Sequence, residues 1–350
     1  MGQGKIYLGK SNCIPVYFDT QEALNKHMLL IGSSGSGKSV EAQNIILNLA
    51  RQGRTAVILD IHSVFSDGQV FKAYRQELGE YMNETDVYNN GITCNLFTPV
   101  KFADGTFERL EDTTGAVTEV LARTTKMGAK QKNILRQAAE SVLNKGLYER
   151  YGIKALGCEL AINNTSAAAE VKDRLYTLTA HNVFRPGGSF IKQGRINVIR
   201  LSKFDLASQE IISEMVLSYL WRMAAAGSFN RNGLFVFADE FQNLVSGKRC
   251  ALNQIIAEGR KFNLNLMLAT QQLPTGTQQA AQGFMQCGLV LMFKPCTGQL
   301  NAAARFIDPG NTKEWAKILK SLTQGEFVAS GSLVLGNARY SKPLKTSNRM

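Results

Sequence analysis

Short, almost unbroken apolar runs recur along this chain, separated by stretches whose apolar positions return every three or four residues. Met28–Ile31 (MLLI), Thr55–Asp60 (TAVILD), residues 196–201 (INVIRL), Leu234–Ala238 (LFVFA), residues 264–269 (LNLMLA) and Leu289–Phe293 (LVLMF) are the runs. Strands covered on both faces, as in a parallel sheet, read this way. Between them, Ala42, Ile45, Ile46, Leu49 and Ala50 fall on one helical face, and Gly53 supplies a stop. Ile211, Ile212, Met215, Val216, Tyr219, Leu220 and Met223 predict a second helix with a broad apolar face, ending near Gly227. Residues 251–261 predict a third. Alternation of strand and helix predicts an α/β fold with a mainly parallel sheet. Residues 6–8 and 14–18, around the polar turn SNC, predict an N-terminal strand pair. Residues 327–329 and 332–335 predict two short strands ahead of a polar, basic tail.

The rhythm breaks between residues 102 and 190. Residues 110–147 read as helix-rich, with Val117, Val120, Leu121, Ile134, Leu135, Val142 and Leu143 as apolar anchors, and Gly187-Gly188 marks the end of the region. The pattern predicts a strand pair over residues 1–25, a core over 26–101 and 191–350, and a mainly helical insertion over 102–190. Lys126, Lys130, Lys132 and Arg136 crowd the middle of the insertion. A solvated helical face is the preferred reading over a phosphate contact, because long basic side chains lay their stems on the surface and leave their charge in water.

Composition narrows the class. With 350 residues, 44% hydrophobic and 19% charged, the chain can bury a large core and shows no bias towards disorder. No apolar run reaches the ~18 residues of a spanning helix, and the first residues lack the apolar core of a signal peptide, so a cytoplasmic protein without transmembrane segments is expected. The six cysteines form no C-x-x-C pair and there are three histidines, which argues for reduced thiols and against a zinc cluster. A net charge of +12 favours a polyanionic partner, nucleic acid before an acidic membrane surface.

The chemistry concentrates where the first buried run ends. Gly32, Ser33, Ser34, Gly35, Ser36, Gly37, Lys38 and Ser39 form G-x-x-x-x-G-K-S between a predicted strand and a predicted helix. Glycines there let successive backbone N–H groups turn inward on phosphate oxygens, and the helix presents its positive end to the same anion. Lys38 can reach the β and γ phosphates of ATP, and the Ser39 hydroxyl can hold Mg²⁺. The run Leu234–Ala238 ends in Asp239-Glu240. A carboxylate pair at a strand end suits support of the Mg²⁺ shell by Asp239 and activation of water by Glu240. Asp60 closes TAVILD, where ligands bind in open α/β sheets, although a cap or turn role competes. His62 has no visible partner and is left structural.

In this order, the motifs resemble the FtsK–HerA superfamily of P-loop motor ATPases, which includes HerA-like helicases, conjugative coupling proteins and type IV secretion ATPases. The matching stretches are KHMLLIGSSGSGKS, TAVILD, LFVFADEFQNL, AEGRKFNLNLMLATQQL, and LTQGEFVASGSL followed by SKPL. The resemblance implies a RecA-like P-loop NTPase core assembled as a hexameric ring around double-stranded DNA. It implies that Lys38 and Ser39 bind nucleotide and Mg²⁺, that Asp239 supports the metal and Glu240 acts on the water. It further implies that Gln271 senses the γ phosphate, that Asp60 supports the site, and that Arg260 stabilises the transferring phosphoryl charge near a subunit boundary. About 25 residues precede the strand that leads into the loop, fewer than the N-terminal β-barrel of HerA proper would need.

The expected function is an ATP-hydrolysing translocase on duplex DNA, acting with a nuclease or transfer-machinery partner. The alternative is a nucleotide-gated assembly or secretion ATPase acting on a protein without moving DNA. A small-molecule kinase is disfavoured by Asp239-Glu240 and Gln271. A transporter ATPase would need an LSGGQ-like signature ahead of the acidic pair, and the chain has none.

Overall fold

The structure is a computed structural model that describes residues 4–229, 233–244, 250–273, 283–284 and 286–348. Fifteen strands are described. They are β1 (Lys5–Ser11), β2 (Ile14–Asp19), β3 (Met28–Ile31), β4 (Thr55–Asp60), β5 (Met82–Asp86), β6 (Ile92–Thr93), β7 (Phe184–Arg185), β8 (Ile196–Arg200), β9 (Leu234–Ala238), β10 (Leu264–Thr270), β11 (Leu289–Phe293), β12 (Glu326–Gly331), β13 (Leu333–Leu335), β14 (Ala338–Tyr340) and β15 (Leu344–Ser347). Thirteen of them form one sheet in the order β14-β13-β2-β1-β15-β12-β11-β3-β10-β9-β4-β8-β5. From β11 to β5 neighbouring strands are parallel. From β14 to the β12–β11 pair they are antiparallel.

The six apolar runs are the six central strands of the parallel half, and every residue of β3, β4, β9, β10 and β11 is buried. Two apolar layers cover the two faces. One contains Leu29, Ile31, Val57, Leu59, Val236 and Leu268. The other contains Met28, Leu30, Ala56, Ile58, Phe237 and Met267. Alternate residues of each strand thus enter opposite layers, as the pleat requires.

Helix α1 (Lys38–Arg51) lies in the second layer, with Ala42, Ile45, Ile46 and Leu49 inside. Its remaining face is polar but also buried. Asn44 Nδ2 donates to the Tyr7 carbonyl (2.8 Å) and Gln52 Nε2 to the Lys5 carbonyl (2.9 Å). The helix is therefore fastened to β1 by side-chain amides, which satisfies polar groups that burial would otherwise leave costly.

Residues 110–180 fold as helices, including Leu110–Thr124, Ala129–Asn144, Lys154–Ile162 and Ser166–Arg174. Arg123 pairs with the buried Glu214 of the Leu206–Ala225 helix, and Arg222 of that helix pairs with Glu108. The basic cluster at 126–136 is partly neutralised by its own surroundings: Lys132 pairs with Glu119, and Arg136 with Glu140 one turn on (3.9 Å).

Three elements differ from the sequence reading. Residues 251–261 are an α-helix only over Ala251–Glu258, and Gly259–Phe262 tightens to a 3₁₀ turn. A Cβ at Gly259 would stand 2.5 Å from the Leu264 carbonyl oxygen, so the chain turns there against β10. The polar tail holds β14 and β15, and β15 is an interior strand between β1 and β12. Finally, β5 is a polar strand at the parallel edge, MNETD, where among the described residues one side has no neighbouring strand.

Candidate nucleotide site

The C-terminal ends of β11, β3, β10, β9 and β4 stand side by side, and each delivers a group to one place. The loop after β3 starts the site. Gly32 N–H donates to the Thr270 carbonyl of β10 (3.2 Å), and both the N–H and the hydroxyl of Ser33 donate to the Lys294 carbonyl just past β11 (2.9 Å each). The loop is thus hung between its two neighbouring strands. Gly37 has φ 108°, a left-handed value, and begins α1 directly behind it. A Cβ on Gly32 would lie 2.5 Å from Phe293 Cβ, so no side chain fits there.

Lys38 is the first residue of α1 and is buried. Its ammonium donates to the Gly32 carbonyl (2.7 Å) and the Ser33 carbonyl (3.1 Å), folding over its own loop. Burial pulls its pKa below the ordinary lysine value, while Glu240 and Asp239 oppose that shift. Asp239 and Glu240 follow β9. Burial raises the Asp239 pKa, Glu240 adds repulsion, and Lys38 acts in the other direction. Glu240 has φ 47°, an uncommon conformation for a residue with a side chain. Its N–H donates to Asp239 Oδ1 (3.0 Å). Its carboxylate accepts from Gln271 Nε2 (2.7 Å) and Gln242 Nε2 (2.6 Å). Gln271 follows β10, the strand between the phosphate loop and the acidic pair.

The cleft so formed is about 350 Å³ and is lined by Lys38, Ser39, His62, Asp239, Glu240, Gln271 and Gln324, with loop residues Ser34, Gly35 and Gly37. That volume lies within the range of small-molecule sites. The N-terminus of α1 and the Lys38 ammonium make one wall of it positive, which suits a polyphosphate. The opposite wall is acidic. Ser39 and Asp239 offer hard oxygen donors across the cleft, and among the described residues no cluster of three or more Asp, Glu, His or Cys stands ready for a metal. Such a donor set fits Mg²⁺, which takes the rest of its octahedron from phosphates and water.

Two residues named from the sequence lie elsewhere. Asp60 Oδ2 pairs with Arg200 Nη1 (3.0 Å), and Arg200 also grips Glu84 (2.7 Å), so this carboxylate ties β4 to β8 and β5 behind the cleft wall. Burial raises the Asp60 pKa, Arg200 lowers it, and Asp239 raises it again. Arg260 is exposed in the turn before β10. The cleft lies past the far end of that strand, ~20 Å away at the usual rise per residue. Arg260 therefore does not reach the cleft of its own subunit.

Two lining residues carried no signal strong enough to single them out. His62 stands two positions past β4, within the D-I-H that closes a parallel strand. Gln324 belongs to LTQGEF, where Gly325 N–H donates to the Ser36 carbonyl (3.0 Å) and brings the β12 entry onto the phosphate loop.

The Helicase HerA, central domain family model matches residues 4–220. The chain is 22% identical over 340 residues to the DNA double-strand break repair helicase HerA of Sulfolobus acidocaldarius, covering 89% of this chain. It spans 63% of the length of that relative. Its fold is similar to that of VirB4 of Thermoanaerobacter pseudethanolicus, with a TM-score of 0.73, 15% identity, and 100% and 97% of the two chains covered. It is also similar to the bacterial conjugative coupling protein TrwBdeltaN70, with a TM-score of 0.65, 12% identity, and 100% and 90% covered. TrwB in complex with ADP and Mg²⁺ aligns with a TM-score of 0.59, 13% identity, and 97% and 88% covered. With the family model spanning most of the chain and the fold extending over the remainder, the chain belongs to the HerA central-domain family, within the FtsK–HerA superfamily of P-loop ATPases.

Proposed function

We propose that the chain is an ATP-hydrolysing motor on duplex DNA, working as a ring, with residues 26–101 and 191–350 as its motor core and 102–190 as a helical insertion. The observation that carries the hydrolytic part is the convergence of the phosphate loop, Asp239, Glu240 and Gln271 in one cleft. On binding of ATP, the loop N–H groups would wrap the β and γ phosphates. Lys38 would exchange its two loop carbonyls for phosphate oxygens. Ser39 and Asp239 would hold Mg²⁺, whose charge neutralises the transferring phosphoryl group. Glu240 would orient and deprotonate the attacking water, released from the amide of Gln271, which reports the γ phosphate.

The DNA part is supported by family membership, by the net charge of +12, and by a curated relative named as a DNA repair helicase. A hexamer, a cytoplasmic setting, and a nuclease or transfer-machinery partner belong to the same proposal. Among the described residues no helix is long and apolar enough to cross a membrane.

The deciding experiment is the ATPase rate of purified protein with and without long duplex DNA, at low and moderate salt. Stimulation that fades with salt is the expected result, since phosphate contacts release counterions. A rate indifferent to DNA would overturn the motor and favour a partner-activated assembly ATPase.

A further inference from the structure

Between β11 and β12 the chain leaves the sheet, forms two helices, Leu300–Ile307 and Thr312–Ser321, and returns. Both ends of this excursion are rooted on the phosphate loop. At its start the Lys294 carbonyl accepts two hydrogen bonds from Ser33. At its end Gly325 N–H donates to the Ser36 carbonyl, Gln324 lines the cleft, and a Cβ at Gly37 would be 3.0 Å from Gly325 N. A phosphate entering the loop must act on a backbone that holds both ends of the hairpin.

The second helix has two faces. Trp315 and Leu319 on the helix and Leu322 just past its end are spaced i, i+4, i+7 and pack on the core. Lys313, Lys317 and Lys320 repeat the same spacing two residues out of step, which places them about 200° round the helix. All three are exposed. Among the described residues none of them forms an ion pair, unlike Lys132 in the insertion. Glu314 is the one acidic residue of this helix. Like charges one helical turn apart repel and weaken a helix, a repulsion that a polyanion would relieve.

We propose that this hairpin carries a contact for the phosphate backbone of duplex nucleic acid, made by Lys313, Lys317 and Lys320, and that its rooting on the phosphate loop ties the contact to occupancy of the nucleotide cleft. The inference rests on the motor reading and names one surface through which that motor grips. The row of three cations extends along about ten ångströms of helix, a length over which a duplex carries about six phosphates, one per ~1.7 Å of axis, so each lysine has a phosphate within reach.

The test uses the full chain and a fluorescent duplex without special sequence. Affinity is measured across a salt series, nucleotide-free and with a non-hydrolysable ATP analogue, for wild type and for the combined variant Lys313→Gln, Lys317→Gln, Lys320→Gln. The variant is expected to keep its basal ATPase rate, to lose DNA stimulation, and to show a log affinity against log salt slope shallower by about 2 to 3. The difference in affinity between the two nucleotide states should shrink with it. Replacing the three lysines by arginine should restore slope and stimulation. If wild type binds and the slope, stimulation and nucleotide dependence of the glutamine variant are unchanged, the inference falls and the motor reading stands. If the variant instead changes the oligomeric state in sedimentation while duplex affinity is unchanged, the face is a subunit contact and the inference is again overturned. Wild type that neither binds nor responds to duplex would remove the motor reading and this surface together.

Discussion

Glu240 holds a left-handed backbone conformation and a carboxylate shared between two glutamine amides. Non-glycine residues in that region store strain and persist only where surroundings hold them. Here the Asp239 carboxylate takes the Glu240 N–H, which fixes the turn and aims the side chain across the cleft. If Glu240 acts on the water, Glu240→Gln should leave nucleotide affinity close to wild type and cut turnover by roughly 10²–10⁴ fold, the usual worth of a general base. Fluorescent-nucleotide binding beside a steady-state phosphate-release assay checks both halves. Near-normal turnover would take the base role away from Glu240. At this scale the sequence is informative wherever chemistry demands a fixed residue type at a fixed spacing. Gly32, Gly37, Lys38, Ser39, Asp239, Glu240 and Gln271 stand out by their motifs, and all of them line or frame one cleft. His62 and Gln324 do not, because one histidine or glutamine beside a strand has no spacing to stand out by. Asp60 shows the converse: a conspicuous acidic strand end whose partner, Arg200, is 140 residues away and is invisible to pattern.

Helix α1 carries the phosphate loop, and its stability rests on more than the apolar face that announces it. Glu41, one turn in, is fully buried and accepts from Asn44 Nδ2 (3.0 Å) and from Asn348 Nδ2 (2.6 Å) at the end of the chain. Burial pushes its pKa up to about 8, against these two hydrogen bonds. Tyr7 and Tyr74 face the same pocket, and burial raises both above the ordinary tyrosine value, Tyr74 to about 12. The folded state therefore keeps a proton on Glu41 that the unfolded chain gives up near its ordinary value of 4.5. More protons bound when folded means that stability falls as pH rises, from the unfolded pKa up to about 8, with a slope of at most ~1.4 kcal/mol per unit. Glu41→Gln keeps the shape and removes the titration. The variant should match wild type near pH 4.5 and be increasingly more stable towards pH 8, as read by denaturant midpoints across that window. Parallel curves for the two proteins would show that Glu41 does not titrate there. Elements of this kind explain what hydrophobic pattern leaves out. The six buried parallel strands are legible because both faces are apolar. In β15, Leu-Lys-Thr-Ser, the backbone pairs on both sides while Thr346 is its one buried side chain, so burial leaves no apolar trace. Edge strand β5 is polar for the opposite reason: among the described residues one side has no sheet neighbour.

On the scale of the molecule, the decisive geometry is the length of the parallel strands. They hold the nucleotide cleft at their C-terminal ends and Arg260 beyond their N-terminal ends, with β10 running between them from Leu264 to Thr270. An arginine that far away could complete phosphoryl transfer only in a neighbouring subunit, with a second copy docked so that the N-terminal ends of its strands face the cleft. Arg260 is exposed, the His27 behind it is buried, which with the Arg260 charge pulls its pKa down to about 4, and Gly259 packs tightly on β10, so the turn is held by the sheet and presents the charge outward. In that arrangement every site is built from two subunits, and defects on the two sides should complement. Lys38→Ala removes the loop cation and Arg260→Ala the charge offered to a neighbour, so each protein alone should be inactive. Mixed assemblies would contain some interfaces joining an intact loop to an intact Arg260, and these should hydrolyse ATP. Turnover is measured over a range of mixing ratios, with subunit exchange confirmed by energy transfer between differently labelled chains. Activity peaking at intermediate ratios is the expected outcome. Silent mixtures in which exchange has occurred would mean that Arg260 serves the site of its own subunit, whereas full turnover by Arg260→Ala alone would mean that it contributes to no site and that the charge on the transferring phosphoryl group is met by Lys38 and the metal.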